Sequence, residues 1–483
     1  MQETINFLNK VKTWSFYGFL ITFTFSIRKV LFFYPIRGQF NEYTGIYLYL
    51  SDIFLLLMLA SGGLFILCNK IFNKSSSNLN LTPYLKQKIV IIPLFLVIFS
   101  FASISWSNNW QLAIFRSLKL LELFLLYLWI TFQMFYREYK DIKNCSTWNI
   151  FNNSVKIIIF TGVIQSIIAI WQFIIQKSIG LIWIKESIIS PDISGVAKIM
   201  LDGEKYIRSY GLFPHPNILA GFLVFSIILT GAYFKLFHVK HKSDENCSTW
   251  NNYICCIVLG IQGLALFLTF SKSAWIGLSI SILYLCYQND KSVSLIEEYG
   301  MFFKKRVKKL FHVEHFKQIT LVVGIIILLI IAIKPNFYSI IGKSIEDRMF
   351  YLNVSRGTFM KNPFLGIGSG QFVLNLENIK NIQDWQFQPV HNVFLIILNE
   401  LGILGLVLFI FFIWEIMKNV PRGTFYNYLK GIFLGFLFVM LFDHYFWDIQ
   451  QGQVMFWLIL GMIVGVKMCI SNKFTGLTSE KKE

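Results

Sequence analysis

Two polar segments of this sequence carry residues whose chemistry stands out from a mostly apolar chain. The first, residues 177–211 with the motif that follows it, contains Arg208, His215 and Asn217 just before an apolar run. Glycine and prolines in the motif predict an irregular backbone ending at a helix start, with Asn217 as the cap. A helix start presents free N–H groups, and a guanidinium adds a planar fork of donors. The motif predicts a phosphate-like anion site, or else an ordinary loop-to-helix junction with Arg208 as interfacial anchor.

The second polar segment, residues 335–392, carries Arg348 near its start and ends in His391 and Asn392. A neutral imidazole with a pKa of about 6.5 accepts a proton at physiological pH, while arginine supplies a permanent positive charge. An arginine and a histidine in one polar loop between apolar runs indicate an active site at a water–lipid boundary. Arg356 is an alternative to Arg348, but it lies inside a suspected repeat and ranks second.

The rest of the chain has the composition of a membrane scaffold. Of its 483 residues, 55% are hydrophobic and only 14% are charged, whereas soluble domains carry about 25% charged residues. A spanning helix needs roughly 20 apolar residues, and such runs predict an all-α polytopic membrane protein with about twelve transmembrane helices in a single domain, residues 1–483. The runs fall near residues 14–34, 46–69, 89–107, 110–136, 154–176, 212–234, 252–270, 273–288, 319–334, 393–415, 428–446 and 452–470.

Positive charge predicts the orientation of this chain. The net charge is +18, and most lysines and arginines fall in segments that are cytoplasmic when both termini are inside. All seven cysteines map to that same side, away from the oxidising compartment. Segments 177–211 and 335–392 then face outside, the second as one large outer loop. The basic run 304–309 is interpreted as an anchor near anionic membrane lipid, and no recognition fold supports nucleic-acid binding.

Charged residues within or beside the spans form a further set of candidates. Arg116, Lys119 and Glu122 lie at i, i+3 and i+6 of the fourth span and share one face. Buried intramembrane charges indicate function by default; the alternative is a Lys119–Glu122 pair with Arg116 extending to the interface. The turn 443–448 is expected to pair with the loop arginines. Candidate substrate-binding residues at the outer ends of other spans are Lys272, Glu400, Asp443 and His444.

Six short segments repeat in a way that suggests an origin in the DNA. They read CSTWN at 145–149 and 247–251, FHVKH at 237–241, FHVEH at 311–315, and NV(S/P)RGTF at 353–359 and 419–425. One palindrome, TGTTCCACGTGGAACA, encodes three of these forms in its three frames, and near variants encode the others. Most copies fall in predicted cytoplasmic loops, where insertions are tolerated. Their histidines are therefore interpreted as solvated loop residues, and no metal site is predicted. Unrelated codons at these sites would contradict the hypothesis.

The order and sidedness of these motifs resemble the O-antigen ligase and O-antigen polymerase superfamily of bacterial envelope enzymes. The matching pieces are the motif 208–217, Ser271-Lys272-Ser273-Ala274, Arg348 ahead of Asn362-Pro363-x-x-Gly366-x-Gly368, His391-Asn392, Glu400-x-Gly402-x-x-Gly405, and the turn with Asp443-His444 and Gln451-Gly452. The likeness covers nearly the whole chain in layout. The segment 271–273 departs from the arginine often found there, which leaves the role of Lys272 open.

The resemblance implies a helical bundle of the glycosyltransferase-C type and an enzyme that needs neither metal nor other cofactor. Such enzymes move a glycan from a polyprenyl (undecaprenyl) diphosphate carrier to an acceptor hydroxyl, on a glycan or a lipid, at the outer face of the bacterial cytoplasmic membrane. Carried over by motif, Arg208 and Arg348 would bind the diphosphate and His391 would be the base. The lipid tail would lie against the first spans and the fourth, near Arg116 and Lys119.

The chemistry of glycosyl transfer agrees with these roles. Breaking a glycosyl–diphosphate bond develops negative charge on the leaving phosphate, which fixed guanidinium groups stabilise most in the transition state. With no aligned pair of carboxylates, a single displacement with inversion is expected. The rival class is a transporter or flippase of lipid-linked oligosaccharides, which would spread polar groups along a midplane path. Ligase, polymerase and protein glycosyltransferase differ only in their acceptor, and the sequence does not separate them.

Overall fold

The computed structural model describes residues 2–72, 87–134, 146–201, 203–237, 245–299, 337–380, 382–418 and 424–479, and these are mostly helical. The long helices are α1 (Gln2–Thr22), α2 (Leu50–Phe72), α3 (Lys88–Ala102), α4 (Trp110–Trp129), α5 (Ser146–Ile175), α6 (Pro216–Phe237), α7 (Glu245–Leu268), α8 (Lys272–Tyr299), α9 (Phe337–Lys361), α10 (Val393–Met417), α11 (Thr424–Met440) and α12 (Gln450–Ser479). Four strands, β1 (Arg28–Phe33), β2 (Gly45–Tyr49), β3 (Lys198–Leu201) and β4 (Glu204–Ile207), form two separate antiparallel hairpins.

Every predicted apolar run inside the described residues overlaps one of these helices. Within the described residues, five helical stretches have the length and apolar composition needed to cross a membrane, namely Leu50–Asn69, Lys88–Trp106, Ile150–Ile175, Pro216–Lys235 and Val393–Met417. The last of them contains a break at Gly402, described below. The prediction of a helical membrane protein is therefore confirmed, while the count of twelve spans stays a prediction.

Several predictions fall on parts of the chain outside the described residues. They are the ninth apolar run 319–334, the basic run 304–309, the repeat copy 311–315 and the histidines of the copy 237–241. Two repeat copies predicted to lie in cytoplasmic loops are helical instead, since residues 146–149 begin α5 and residues 247–251 lie near the start of α7. A low-hydropathy extension of a helix past the membrane boundary has the same composition as a loop, which explains the error.

The first predicted span, 14–34, is wrong in its second half. Helix α1 ends at Thr22, and β1 then pairs with β2 in a register that sets Arg28 opposite Tyr49 and Phe33 opposite Gly45. Valine and aromatic residues in β1 favour strands, and an apolar run alone does not separate a strand from a helix. The hairpins also add two small β elements to the predicted all-α fold.

The predicted large loop 335–392 is also partly wrong, because most of its first half is the helix α9. This helix is too polar to register as an apolar run, and Arg348 and Arg356 both lie on it. The remaining irregular part holds two short helical turns, Phe372–Asn375 and Leu376–Asn378, and a third at Asp384–Gln386.

Helix α10 is broken at Gly402, whose φ of +65° lies in the left-handed region. The rings of Phe394 and Phe409 are 6.0 Å apart, whereas 15 residues of straight helix would separate them by about 22 Å. The arm before Gly402 therefore folds back along the arm after it. The predicted continuous tenth span, 393–415, is wrong in this respect.

The turn after α9 satisfies the backbone groups that this break leaves open. The Ile367 and Gly368 N–H groups donate to the carbonyls of Asn399 (2.9 Å) and Glu400 (2.8 Å). A Cβ on Gly366 would lie 2.4 Å from the Glu400 carbonyl oxygen, and one on Gly402 would lie 2.2 Å from that of Phe364. Both glycines are therefore required by the close approach of two backbones.

Helices α6 and α12 form the centre of the bundle. In α12, residues 450–465 are all buried, and α6 is the most enclosed of the spanning helices. Tyr445 packs between their N-terminal ends, and a Cβ on Gly221 of α6 or Gly452 of α12 would collide with it. These two glycines thereby place the turn before α12 against the start of α6.

Candidate functional site

The Arg208 segment is held in place by two buried glutamines of α5. Gln172 accepts a hydrogen bond from the Gly211 N–H (2.8 Å) and donates one to the Gly211 carbonyl (2.9 Å). Gln165 accepts from the Leu212 N–H (2.8 Å). Gly211 has φ +59°, and a Cβ there would lie 2.7 Å from the Gln165 side-chain oxygen. The irregular backbone expected before α6 is confirmed.

The Arg208 guanidinium is partly buried and bonded to neutral groups. It donates from Nε to the Thr269 carbonyl (2.6 Å) and from a terminal nitrogen to the Asn217 side-chain oxygen (2.5 Å). Asn217 in turn donates to the Asp443 carboxylate (2.7 Å). Burial lowers the pKa of Arg208 to about 10, which leaves it positively charged at neutral pH. Among the described residues, no carboxylate lies within ion-pairing distance of it.

The cap of α6 is His215, and the prediction that Asn217 caps this helix is wrong. The His215 Nδ1 accepts from the Asn217 N–H (3.2 Å), and its carbonyl accepts from Ile218 (3.1 Å). Pro216 occupies the first helical position, where its missing N–H costs nothing. Burial, followed by the nearby charges of Arg208, His444 and His391, holds the pKa of His215 well below its usual value.

The turn 441–448, between α11 and α12, joins the separate pieces of the site. Its His444 Nδ1 lies 2.8 and 2.9 Å from the two oxygens of Asp448, and the ring stacks edge to face on Tyr43 at 5.5 Å. Burial lowers the pKa of His444, but the charge of Asp448, the hydrogen bond to it and the charges of Asp443 and Glu42 together raise the pKa to about 8. Asp443 accepts from the His444 N–H (2.9 Å) and from Asn217. Asp443 and Asp448 therefore bond to neighbours other than Arg208 and Arg348, the loop arginines with which the turn was expected to pair.

His391 lies against this turn. Its ring is 5.3 Å from the His444 ring and 5.8 Å from that of Tyr351. Neither of its nitrogens has a hydrogen-bond partner among the described residues, so both remain open to a ligand. Burial, followed by the charge of His444, lowers the pKa of His391 to about 4. The imidazole is therefore neutral at physiological pH.

Asn392 fixes the end of the segment that carries His391. Its side-chain oxygen accepts from the Leu395 N–H (3.0 Å), which caps α10, and its amide donates to the Leu441 carbonyl (3.0 Å). Both polar atoms are thus used to position the chain.

Arg348 of α9 approaches the same turn, and Lys272 of α8 lies near Arg208 and Arg348. The exposed Arg348 guanidinium lies 5.3 Å from the Phe442 ring and contacts the Phe442 carbonyl at 3.5 Å. Burial, followed by the charges of Arg208 and Arg348, lowers the pKa of Lys272 at the start of α8. These three cations therefore share one region. Arg356 is exposed on α9, and within the described residues it makes no hydrogen bond or ion pair.

Part of the chain resembles a known protein family. Residues 256–410 match the model of the O-antigen ligase family. The match confirms the resemblance to the O-antigen ligase and polymerase superfamily over that part of the chain, and the apolar helices indicate an integral membrane protein. No curated protein matches the chain significantly.

The O-antigen ligase match includes Lys272, Arg348, His391 and Glu400 but ends before the turn 441–448. The Glu400 carboxylate, at the break of α10, accepts from the Trp447 indole N–H (3.1 Å). It lines a cavity of about 30 Å³ together with Arg116 and Asp448, which is room for ordered water. Glu400 therefore lies beside the turn, at Trp447.

The charged residues of α4 are bound within the protein. Arg116 donates to the carbonyls of Asp448 (2.7 Å) and Tyr43 (2.9 Å), so it faces the bundle rather than extending to the interface. Lys119 forms ion pairs with Asp52 and, at 3.1 Å, with Glu122. The predicted Lys119–Glu122 pair is confirmed, and Asp52 of α2 is a partner that sequence reasoning missed.

The residues of the candidate site that the sequence analysis missed are ones that hold other site residues in place. Asp448 orients His444, and its i, i+4 spacing is a signal that could have shown the pairing. Gln165, Gln172 and Tyr43 gave no such signal, because their partners are distant in sequence. Among the described residues, no group of three or more His, Cys, Asp or Glu side chains could hold a metal ion.

Proposed function

We propose that the protein transfers or polymerises a glycan from a polyprenyl-diphosphate carrier onto an acceptor hydroxyl, at the outer face of the bacterial cytoplasmic membrane with both termini cytoplasmic. The observation that carries the proposal is that Arg208, Arg348 and His391, far apart in the sequence, all approach the turn 441–448. The O-antigen ligase match supports this class of reaction.

The donor diphosphate would bind among Arg208, Arg348 and Lys272. Arg208 is held by the Thr269 carbonyl and Asn217, so its position is fixed before a ligand arrives. A preorganised cation needs little rearrangement as charge develops on the leaving group. These side chains would therefore stabilise the diphosphate more strongly as the glycosyl bond breaks.

His391 would act as the general base in one displacement. The acceptor oxygen forms a bond to the anomeric carbon on the side opposite the diphosphate, and its proton passes to an imidazole nitrogen. The bond between the anomeric carbon and the phosphate oxygen breaks, and its electron pair leaves with the diphosphate. The anomeric configuration is inverted. No step requires a metal, because the cationic side chains supply the positive charge.

The test is transfer by the purified protein in proteoliposomes, with a polyprenyl-diphosphate oligosaccharide as donor and glycan and lipid acceptors offered separately. We expect glycan-extended acceptor and free polyprenyl diphosphate in equal amounts, an inverted anomeric linkage by NMR, and no loss of rate with a chelator. The acceptor that is used separates ligase from polymerase. Movement of the intact donor across the bilayer without release of diphosphate would contradict the proposal and favour a flippase.

A further inference from the structure

An apolar groove runs along the outside of the bundle, between α8, α10 and α11. It has a volume of about 410 Å³ and an apolar wall, formed in part by Ile280 of α8, Ile410 of α10 and Leu437 of α11. That volume lies within the range of small-molecule sites. Ile410 is 48% exposed, so the groove opens sideways toward the surroundings of the helices, which in a membrane are lipid chains.

One end of the groove lies at the candidate site. Phe394 and Leu441 line that end, and both are joined to site residues by the chain or by a hydrogen bond. Phe394 is three residues after His391, and the Leu441 carbonyl accepts from Asn392 (3.0 Å). The next residue, Phe442, lies under the Arg348 guanidinium. A molecule with an anionic head beside Arg348 could therefore extend an apolar chain directly into the groove.

The structure assigns this groove to the isoprenoid tail of the lipid-linked donor, with the diphosphate beside Arg348 and Lys272. The identity of the carrier rests on the function proposed above. A single long isoprenoid chain suits an apolar groove that ends at a cationic cluster, and burying its apolar surface in the groove would hold the head group at the site. The tail would then lie along α10 and α11 rather than against the first spans and the fourth.

The test measures binding rather than transfer, so that it does not depend on catalysis. The full-length protein in nanodiscs is titrated with a long-chain polyprenyl diphosphate, with geranyl diphosphate as its short homologue, and with phosphatidic acid as an anionic phospholipid. Ile410→Trp and Leu437→Trp each fill the groove from a different helix. Val407→Trp is the matched control, because Val407 is exposed on α10 but does not line the groove.

Both groove variants are expected to raise the Kd of the long-chain diphosphate roughly tenfold, the change produced by losing about two buried methylene contacts. The Kd of geranyl diphosphate should change far less, and Val407→Trp should leave both values as in the unmodified protein. Equal weakening of phosphatidic acid would mean a general lipid groove and would overturn the assignment. So would an unchanged Kd for the long chain in both variants. Chain-length-dependent binding without any glycan transfer would instead refute the proposed function and leave the groove assignment standing.

Discussion

Two groups of charged side chains lie near each other in this bundle, and they differ in whether carboxylates pair with their cations. On α4, Lys119 is buried and forms ion pairs with Asp52 and Glu122. Near the turn 441–448, Arg208 is partly buried but is bonded to a carbonyl and an amide oxygen, with no carboxylate in ion-pairing distance among the described residues. In the first group, carboxylates neutralise the charge of the lysine. The second retains net positive charge that an anionic ligand can neutralise.

This difference shows how a structural role can be distinguished from a ligand-binding role for a buried charged residue before any ligand is known. A buried cation is costly unless it is paired, so a cation without a carboxylate partner marks a position where the protein accepts that cost. Sequence spacing alone placed Arg116 and Lys119 among the substrate-binding candidates. Their partners instead indicate a structural role for Lys119 and a supporting role for Arg116, which holds the backbone at Asp448.

The strongest test of the cationic site is His391→Ala. We expect a fall in kcat of about 10²- to 10⁴-fold, the usual contribution of a general base, with membrane insertion and donor binding unchanged. Transfer assays give the rate, and binding of long-chain polyprenyl diphosphate serves as the control. Full activity in this variant would exclude His391 as the base.

A matching test of the neutralised group is Lys119→Met. Removing the cation leaves Asp52 and Glu122 buried without it, which is expected to cost about 3–5 kcal/mol of stability. Thermal unfolding in detergent should show a large loss, while the rate per folded molecule stays close to that of the unmodified protein. Adding Glu122→Gln should recover part of the stability. A stable Lys119→Met protein with a specific loss of donor binding would reverse the assignment.

Arg348→Ala and Arg356→Ala separate the two arginines of α9. Only Arg348 contacts the turn at Phe442, so its loss is expected to lower kcat by about 10²-fold. Arg356→Ala, on the same helix and equally exposed, should behave as the unmodified protein. Steady-state transfer kinetics with both variants decide the matter, and the reverse pattern would move the second phosphate-binding role to Arg356.

The smallest effect is a shift in pH dependence on His444→Gln. A base must be unprotonated, so the rate falls as pH drops through the pKa of His391, which is about 4. Burial is the main cause of that low pKa, and the positive charge of His444 adds to it. Removing the charge should move the acidic limb of kcat/KM to higher pH, while burial still holds the limb below about 6.5. Profiles of both proteins between acidic and neutral pH measure the shift. Coincident acidic limbs would show that His444 does not influence the base.

The candidate residues could be selected from the sequence more readily than the fold that brings them together. Arg208, Arg348 and His391 were selected because they lie in polar segments next to apolar runs and match the motifs of a known family. The positions of most helices followed from hydropathy. The backward fold of α10 at Gly402 and the hairpin of β1 and β2 could not be predicted, because both depend on partners distant in sequence and leave the apolar pattern unchanged.

The residues that hold the site in place could not be predicted either, because their partners are also distant in sequence. Gln165 and Gln172 read as ordinary polar residues within an apolar run, and only the three-dimensional arrangement shows that they hold the backbone of residues 211 and 212. His215 rather than Asn217 caps the helix because Pro216, with its fixed φ, begins the helix two residues earlier than expected.

The fold-back of α10 also separates two parts of the chain that could change independently. The arm that begins just after His391 is fixed at one end by Asn392 and at the other by the backbone bonds to residues 363–368. The intervening segment 371–390 builds its own small hydrophobic cluster with Tyr351 and Ile396. We expect related chains to differ in the length and sequence of this insert without displacing the imidazole. Selectivity for different sugars could then diversify there while the reacting atoms keep their places.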